Sequence, residues 1–405
     1  MKILHTADWH LGKRLEQFSR TEEQHDVLNE ICAIADEQNV DAAIIAGDLF
    51  DTFNPPIEAM DLFYKTLKKL SNNGKRLVVA IAGNHDSPER IEAPGPLAHE
   101  CGIVFSGFPI TEIPKFRLDS GLEILKSEPG FIEVKLPQSD APLRLILTPF
   151  ANEFRMKTFL GFDNSEEELR QVLQKYWQNL ADKYCDDFGV NILVAHLFMV
   201  KKGAVIPEEP EEEKPIMHVG GAQAIFSSNV PKQIQYVALG HLHRPFKMDD
   251  TPCPVVYSGS PLSYSFKEAE QQKFVNILHI HPKQPATYEQ IPLKSGRKLL
   301  RYRAQGLEDA LHWLANHPGT LIELTLATEN YLTAAEHKAI LQAHEGIVTI
   351  IPEIQCLGVE NEKPKNINLN LHIDELFKAY FKSKTGQDIN EELLNLFQEI
   401  KAEKL

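Results

Sequence analysis

Asp8 and His10 in "DWH", Asp48 in "GDLFD", Asn84 and His85 in "GNHD", His196 in "VAHL", and His241 and His243 in "GHLH" are the residues best suited to chemistry. All stand at or just past the end of a short apolar run: "KILHT", "DAAIIAGD", "RLVVAIAGNHD", "NILVAH" and "QYVALGHLH". Open α/β sheets form their sites at the carboxyl ends of strands, so five separate segments are expected to meet in one crevice. Carboxylate, imidazole and one amide oxygen, with no thiolate, suit Mn²⁺, Fe²⁺ or Zn²⁺. The seven side chains Asp8, His10, Asp48, Asn84, His196, His241 and His243 are too many for one ion that keeps a position open. They suffice for two ions sharing a carboxylate, and Asp48, with two oxygens on a central strand, is the natural bridge. Two cations ~3.5–4 Å apart can clamp a phosphate, acidify a bridging water and stabilise attacking and leaving oxygens.

Taken singly, these motifs say less. An Asp after a strand is ordinarily a turn former or helix cap, and a lone histidine such as His196 is ordinarily a core residue. "GNHD" is stronger, because Asn-His-Asp has no plain structural use after a buried strand. "GHLH" sets two imidazoles on the same side of an extended segment. It is the joint occurrence at successive strand ends that points to a site.

The elements that must position these residues are legible from periodicity. "EEQHDVLNEICAIADEQN" places Val27, Leu28, Ile31, Ile34 and Ala35 at helical spacing, and "IEAMDLFYKTLKKL" is a second amphipathic helix. The resulting β-α-β-α-β order predicts an α/β sheet with parallel strands. The middle of the chain reads as less regular, with "EEPEEEK" (208–214) a solvated acidic loop. "VVYSGSP" and "KFVNILHI" read as returning strands that close a first domain, 1–282. Strand and helix patterns then alternate again from "KLLRYRAQ" to "IVTIIPEIQ", a small α/β domain at 285–355. A polar linker, 356–372, leads to a pair of helices, 373–405, whose apolar faces either fold back or grip a partner.

With 405 residues, two or three domains are expected. A 43% hydrophobic and 24% charged composition is that of a globular protein, and no apolar run approaches a membrane span. The five cysteines are scattered and never form CxxC, which predicts reduced thiols in a cytoplasmic protein and no zinc cluster of cysteines. A net charge of −15 argues against a freestanding nucleic-acid binder with a basic face. It leaves room for a metal enzyme acting on phosphate esters, since bound cations supply positive charge locally.

Together "DWH", "GDLFD", "GNHD", "VAHL" and "GHLH" resemble the signature of the calcineurin-like metallophosphoesterases, a sandwich of sheets flanked by helices. Within that superfamily "ILHTADWHLG", "GDLFDT", "AGNHDS", "YVALGHLHRP" and "YSGSP" resemble the SbcD family of bacterial nuclease subunits over about the first 280 residues. The small α/β domain and helical tail fit that family in length and order, as a capping domain and a C-terminal helical segment. The resemblance implies two divalent ions, Mn²⁺ foremost, with Mg²⁺, Fe²⁺ and Zn²⁺ as alternatives. Asp8, His10, Asp48 and His243 would hold one ion, and Asp48, Asn84, His196 and His241 the other. His85 is left over, as a proton carrier or transition-state stabiliser beside the ions. Asp86 either orients His85 or closes the turn, and Asp51 is read as structural.

The resemblance further implies a DNA nuclease of repair, recombination and replication, acting as a 3′→5′ exonuclease on duplex ends and an endonuclease on single strands and hairpins. It implies an SbcC-like coiled-coil ATPase as partner and a homodimer within a heterotetramer. The sequence has no G-x-x-x-x-G-K-[ST] loop of its own, so ATP use would come from that partner. Lys13, Arg14, Arg20, Arg90, Lys201, Lys202 and Arg244 lie beside the motifs as candidate DNA phosphate contacts. The alternatives are a phosphodiesterase or phosphatase for small phosphate esters, and a partner-binding scaffold with a vestigial metal site.

Overall fold

The apolar runs that end in candidate ligands become neighbouring strands of two stacked sheets. The computed structural model describes residues 1–150, 166–203, 225–328 and 332–354, with 375–378, 380, 381 and 394 near the C-terminus. The acidic loop 208–214, the linker 356–372 and most of the helical pair expected over 373–405 lie outside these residues.

In the first sheet β1 (Lys2–Thr6), β2 (Ala42–Ala46), β3 (Leu77–Ile81) and β4 (Ile103–Ser106) run parallel, in that order. Thr6 stands opposite Ile45, and Ala46 opposite Ile81, so the turns carrying Asp8, Asp48 and Asn84 leave the sheet side by side. The second sheet contains β5 (Glu123–Glu128), β6 (Phe131–Lys135), β7 (Leu143–Thr148), β8 (Val190–His196), β9 (Tyr236–Gly240), β10 (Phe246–Asp249) and β11 (Val255–Tyr257). Its order is β10-β11-β9-β8-β7-β6-β5. Strands β8 and β9 are parallel with His196 opposite Gly240, which sets His196 beside His241. The chain then returns to the first sheet with β12 (Phe274–His279) antiparallel to β1 and β13 (Thr287–Pro292) beyond it.

Both faces of the first sheet are covered, which is why β2 (AAIIA) and β3 (LVVAI) read as unbroken apolar runs rather than alternating ones. Between the sheets Ile3, Ile44 and Val79 join Leu145, Val194 and Ala238 in one dry layer. On the outer face of the first sheet α1 (Thr21–Glu37) and α2 (Ile57–Leu70) bury Leu28, Ile31, Phe63 and Leu67. The second sheet is covered by α3 (Glu166–Tyr184) through Leu173 and Trp177, whose indole N–H donates to Thr148 Oγ1 at 2.9 Å. The layers are therefore helix, sheet, sheet, helix, the α/β sandwich that the motifs implied.

Among the described residues, the middle of the chain over 123–148 and 166–184 is more regular than expected. Strands β5 to β7 form an antiparallel meander that widens the second sheet. Helix α3 presents an apolar face of Leu169, Val172, Leu173, Tyr176, Trp177, Leu180, Ala181 and Tyr184 to the second sheet. That spacing is the i, i+3, i+4, i+7 pattern of an amphipathic helix, so the sequence does carry a signal for α3.

Beyond β13 come β14 (Leu299–Gln305), α4 (Leu307–Ala315), β15 (Leu321–Thr328), α5 (Ala334–Ala343) and β16 (Ile347–Ile354), with a sheet order β14-β15-β16. Leu299, Leu321 and Val348 of these elements pack with Leu15 and Phe266 of the sandwich. Residues 1–326 and 334–351 form one compact unit, and 327–333 with 352–405 a second.

Candidate dinuclear metal centre

The site is built by turns that a chain adopts only under constraint. Asp8, His10, Asp48 and His241 have positive φ angles of 54°, 43°, 47° and 101°. Side chains other than glycine disfavour this region by of order 1–3 kcal/mol each, and such residues cluster at functional sites. The turns are held by one another: Asp8 N–H donates to Gly47 O at 3.0 Å, and His10 N–H to Asp48 O at 3.0 Å. Glycines admit the close approach. A Cβ on Gly83 would lie 2.0 Å from Asp48 Oδ1, and one on Gly240 would lie 2.0 Å from Ala46 O. This is the physical content of the glycines that open "GNHD" and "GHLH".

All seven candidate ligands meet at the shared carboxyl edge of the sheets. Asp48 Oδ2 lies 3.6 Å from His10 Nε2 and 3.3 Å from His196 Nε2, between the two expected ligand groups. On one side His10 Nε2 and His243 Nε2 approach to 2.9 Å. On the other, Asn84 Oδ1 is 3.0 Å from His196 Nε2 and 3.1 Å from His241 Nδ1. Asp8 Oδ1 accepts the His241 N–H at 2.9 Å, and its Oδ2 is buried with no hydrogen-bond partner. His196 Nδ1 donates to Ala46 O at 2.8 Å, which leaves Nε2 as the ligating nitrogen. Converging lone pairs and a buried, partnerless carboxylate oxygen are what divalent cations would satisfy. The residues present fit two such ions sharing Asp48.

The electrostatics point the same way. Burial raises the Asp8 carboxyl to about 6, against the pull of His196 and His243. Burial opposes charge on His196, yet the facing Asp48 and Asp8 carboxylates raise it to about 9. Without cations, a proton on His196 is the cheapest positive charge that these carboxylates can recruit.

His85 stands beside this cluster, its ring centroid 4.9 Å from that of His10. Its Nδ1 donates to the backbone carbonyl of Asp51 at 2.8 Å, and its N–H donates to Asp48 Oδ1 at 3.0 Å. Asp51 therefore does more than shape a turn. Its carboxylate also takes Lys13 Nζ at 3.0 Å and lies 3.7 Å from His10 Nδ1. The sequence signal is Asp51 itself, three residues after Asp48 in "GDLFD". Asp86 is fully buried and accepts backbone N–H groups from Gly83 at 2.8 Å, Leu49 at 3.0 Å and Phe50 at 3.0 Å. It clamps the turn after β3 to the turn after β2, and so sets Asn84 and His85 against Asp48. Of its two expected roles the structure displays the turn-holding one, across two turns rather than one.

The candidate phosphate contacts divide by exposure. Arg14, Arg90, Lys201, Lys202 and Arg244 are exposed, although Lys201 pairs with Asp249 at 3.1 Å. Lys13 is 9% exposed and committed to Asp51. Arg20 departs from expectation: it is 1% exposed and holds Glu23 with two nitrogens, at 2.7 and 2.8 Å. Its guanidinium is a structural cation, because Glu23 and the Ser263 carbonyl already occupy its donors.

The sequence profile of the calcineurin-like phosphoesterases matches residues 1–245. The SbcD subunit of the SbcCD nuclease of Bacillus subtilis (strain 168) is 36% identical over 404 residues, covering 99% of this chain and 97% of that protein. The chain belongs to the calcineurin-like phosphoesterases, in the SbcD family. The SbcD proteins of Staphylococcus epidermidis and Rhodobacter capsulatus are 30% and 31% identical, over 74% and 76% of this chain and 71% and 72% of theirs. Membership makes the chain a metal-dependent phosphodiester hydrolase. Among the described residues two groups have donor atoms close enough to share a cation, Asp8, Asp48 and His196 in one and His10, Asp51 and His85 in the other.

Two measurements follow from this geometry. Asp86→Ala leaves three buried N–H groups without their acceptor, and should cost about 3 kcal/mol or more in urea unfolding of the metal-free protein. Equal stability would show that the clamp is dispensable. Mn²⁺ must displace the proton that His196 holds up to about pH 9 and the one that Asp8 holds up to about pH 6. Affinity should therefore climb with pH from below 6 towards 9, with proton release visible by calorimetry in buffers of different ionisation enthalpy. A pH-independent affinity would count against these ligands.

Proposed function

We propose that this chain is the nuclease component of an SbcCD-type assembly, hydrolysing DNA phosphodiesters with two divalent ions, Mn²⁺ by preference. Asp8, His10, Asp48 and His243 hold one ion; Asp48, Asn84, His196 and His241 hold the other. The observation that carries the reading is Asp48 Oδ2, 3.6 and 3.3 Å from one imidazole of each group. When bound, the ions supply Lewis-acid polarisation of phosphate and water and neutralise charge.

The chain's own residues supply the rest. His85 gives Nδ1–H to the Asp51 carbonyl, so its exchange with substrate runs through Nε2. As water adds to phosphorus and gives up a proton to solvent, the bond to the sugar 3′ oxygen breaks, His85 Nε2–H passes its proton to that oxygen, and His85 is reprotonated from solvent. Asp86 keeps His85 in register with Asp48 by joining their turns. On this reading the enzyme removes nucleotides 3′→5′ from duplex ends and opens single strands and hairpins in the cytoplasm. The small domain at 285–355 caps the site, and the C-terminal helices over 373–405 engage an SbcC-like coiled-coil ATPase, with two copies of this chain in a heterotetramer. Support for the partner comes from the B. subtilis relative, one component of a complex by name, to which this chain aligns over 99% of its length.

Exposed Arg14, Arg90, Lys202 and Arg244 are the phosphate contacts, with Lys201 sharing its charge with Asp249. Because the net charge is −15, attraction to DNA must be local to the crevice and the ions.

Mn²⁺-dependent cleavage of an end-labelled hairpin duplex, with and without the ATPase, tests the function. His85→Ala should lower turnover by about 10²- to 10⁴-fold while Mn²⁺ binding is retained. Equal cleavage by both proteins would remove His85 from the mechanism. Faster hydrolysis of small phosphodiesters than of DNA would favour a small-ester phosphodiesterase, and no activity in either assay a scaffold. DNA affinity should fall with salt, and Arg90→Ala should reduce the log–log slope by about one. A slope unchanged by that substitution takes Arg90 out of the interface.

A further inference from the structure

The motif "YSGSP" and the residues after it have no part in the ligand set, yet they surround one ligand. His243 is 4% exposed, and its Nδ1 lies 3.4 Å from Glu268 Oε1. Its backbone carbonyl accepts Ser260 N–H at 3.1 Å and Lys273 Nζ at 3.0 Å. Lys273 also bonds Ser260 Oγ at 3.1 Å and closes directly on Glu268 Oε2. Glu268 Oε1 further accepts the Tyr264 N–H at 3.2 Å. Gly259 makes the approach possible: its φ is 72°, and a Cβ there would sit 2.7 Å from the His243 carbonyl oxygen.

We propose that Glu268 is a positioning residue for one of the two ions, holding the His243 ring with Nδ1 protonated and Nε2 turned to the metal, while Lys273 locks both Glu268 and the His243 backbone. This rests on the two-ion reading. Glu268 and Lys273 are 7% and 6% exposed. A buried ion pair adds little stability over an apolar pair of similar volume, so its use here is orientation. A carboxylate behind a ligating imidazole fixes the tautomer and raises ligand basicity, and its loss typically weakens metal binding by about 10- to 100-fold. The other ion's His196 is backed at 2.8 Å by the neutral Ala46 carbonyl, so the two sites should respond differently.

Mn²⁺ titration of the full chain, read by the electron paramagnetic resonance of free Mn²⁺, separates the cases. The wild type should bind two ions. Glu268→Gln should weaken one of them by about 10- to 100-fold and leave the other within about threefold, and Glu268→Asp should recover part of the loss. In the metal-free protein, nitrogen NMR should show His243 as the Nδ1–H tautomer in the wild type and as a mixture in Glu268→Gln. If the lone Lys273 prevents folding, the pair Glu268→Gln and Lys273→Met restores charge balance and should show the same one-site loss. Two unchanged affinities, or equal weakening of both, would overturn the positioning role. A wild-type stoichiometry below two would overturn the two-ion reading, and this inference with it.

Discussion

Asp8 and Asp48 are both fully buried and lie together at the edge where two sheets meet. Two ionised carboxylates without water repel each other and lose hydration, a cost of several kcal/mol per ion unless positive charge lies within a few ångströms. The surroundings answer that demand. Four imidazoles, from His10, His196, His241 and His243, converge on them, and the backbone N–H groups of His85 and His241 donate to Asp48 Oδ1 and Asp8 Oδ1. A scaffold that concentrates negative charge and neutral donors in this way is poised for divalent cations, and that electrostatic requirement orders the rest of the molecule.

Strain at the site is sustained by the dry sandwich beneath it. Positive φ at Asp8, His10, Asp48 and His241 is costly locally, but each residue follows a strand hydrogen-bonded on both edges and packed within the sandwich. The turns cannot relax without breaking bonds to one another or displacing Asp86. Rigidity also serves catalysis, because donors fixed in advance need no reorganisation when charge develops on a phosphate.

Much is legible before any tertiary structure. Local pattern locates β1, β2, β3, β8 and β9, the helices on the first sheet, and the later strand-helix alternation. Residue type at strand ends picks out seven candidate donors, whose side chains the fold brings together. The meander β5 to β7 is less visible, because β5 (EILKSE) is mostly polar and little buried, whereas α3 has a helical apolar face through Leu169, Leu173, Trp177 and Leu180. Arg20 misleads because its neighbours in sequence are polar. Its burial is fixed by Glu23 one turn away and by the Ser263 carbonyl, 243 residues distant.

By itself the sequence determined which atoms could bind cations and that each would emerge at a strand's end, because periodicity and strand termination are local properties. Tertiary structure decided which atoms meet. His10 and His243, 233 residues apart, touch because β1 and β9 belong to stacked sheets with a common carboxyl edge. Only folding made Asp86 a clamp between two turns, the Asp51 carbonyl a partner for His85, and Glu268 with Lys273 a cradle for His243. Such roles depend on distances across the chain, which packing and register set and no local pattern encodes.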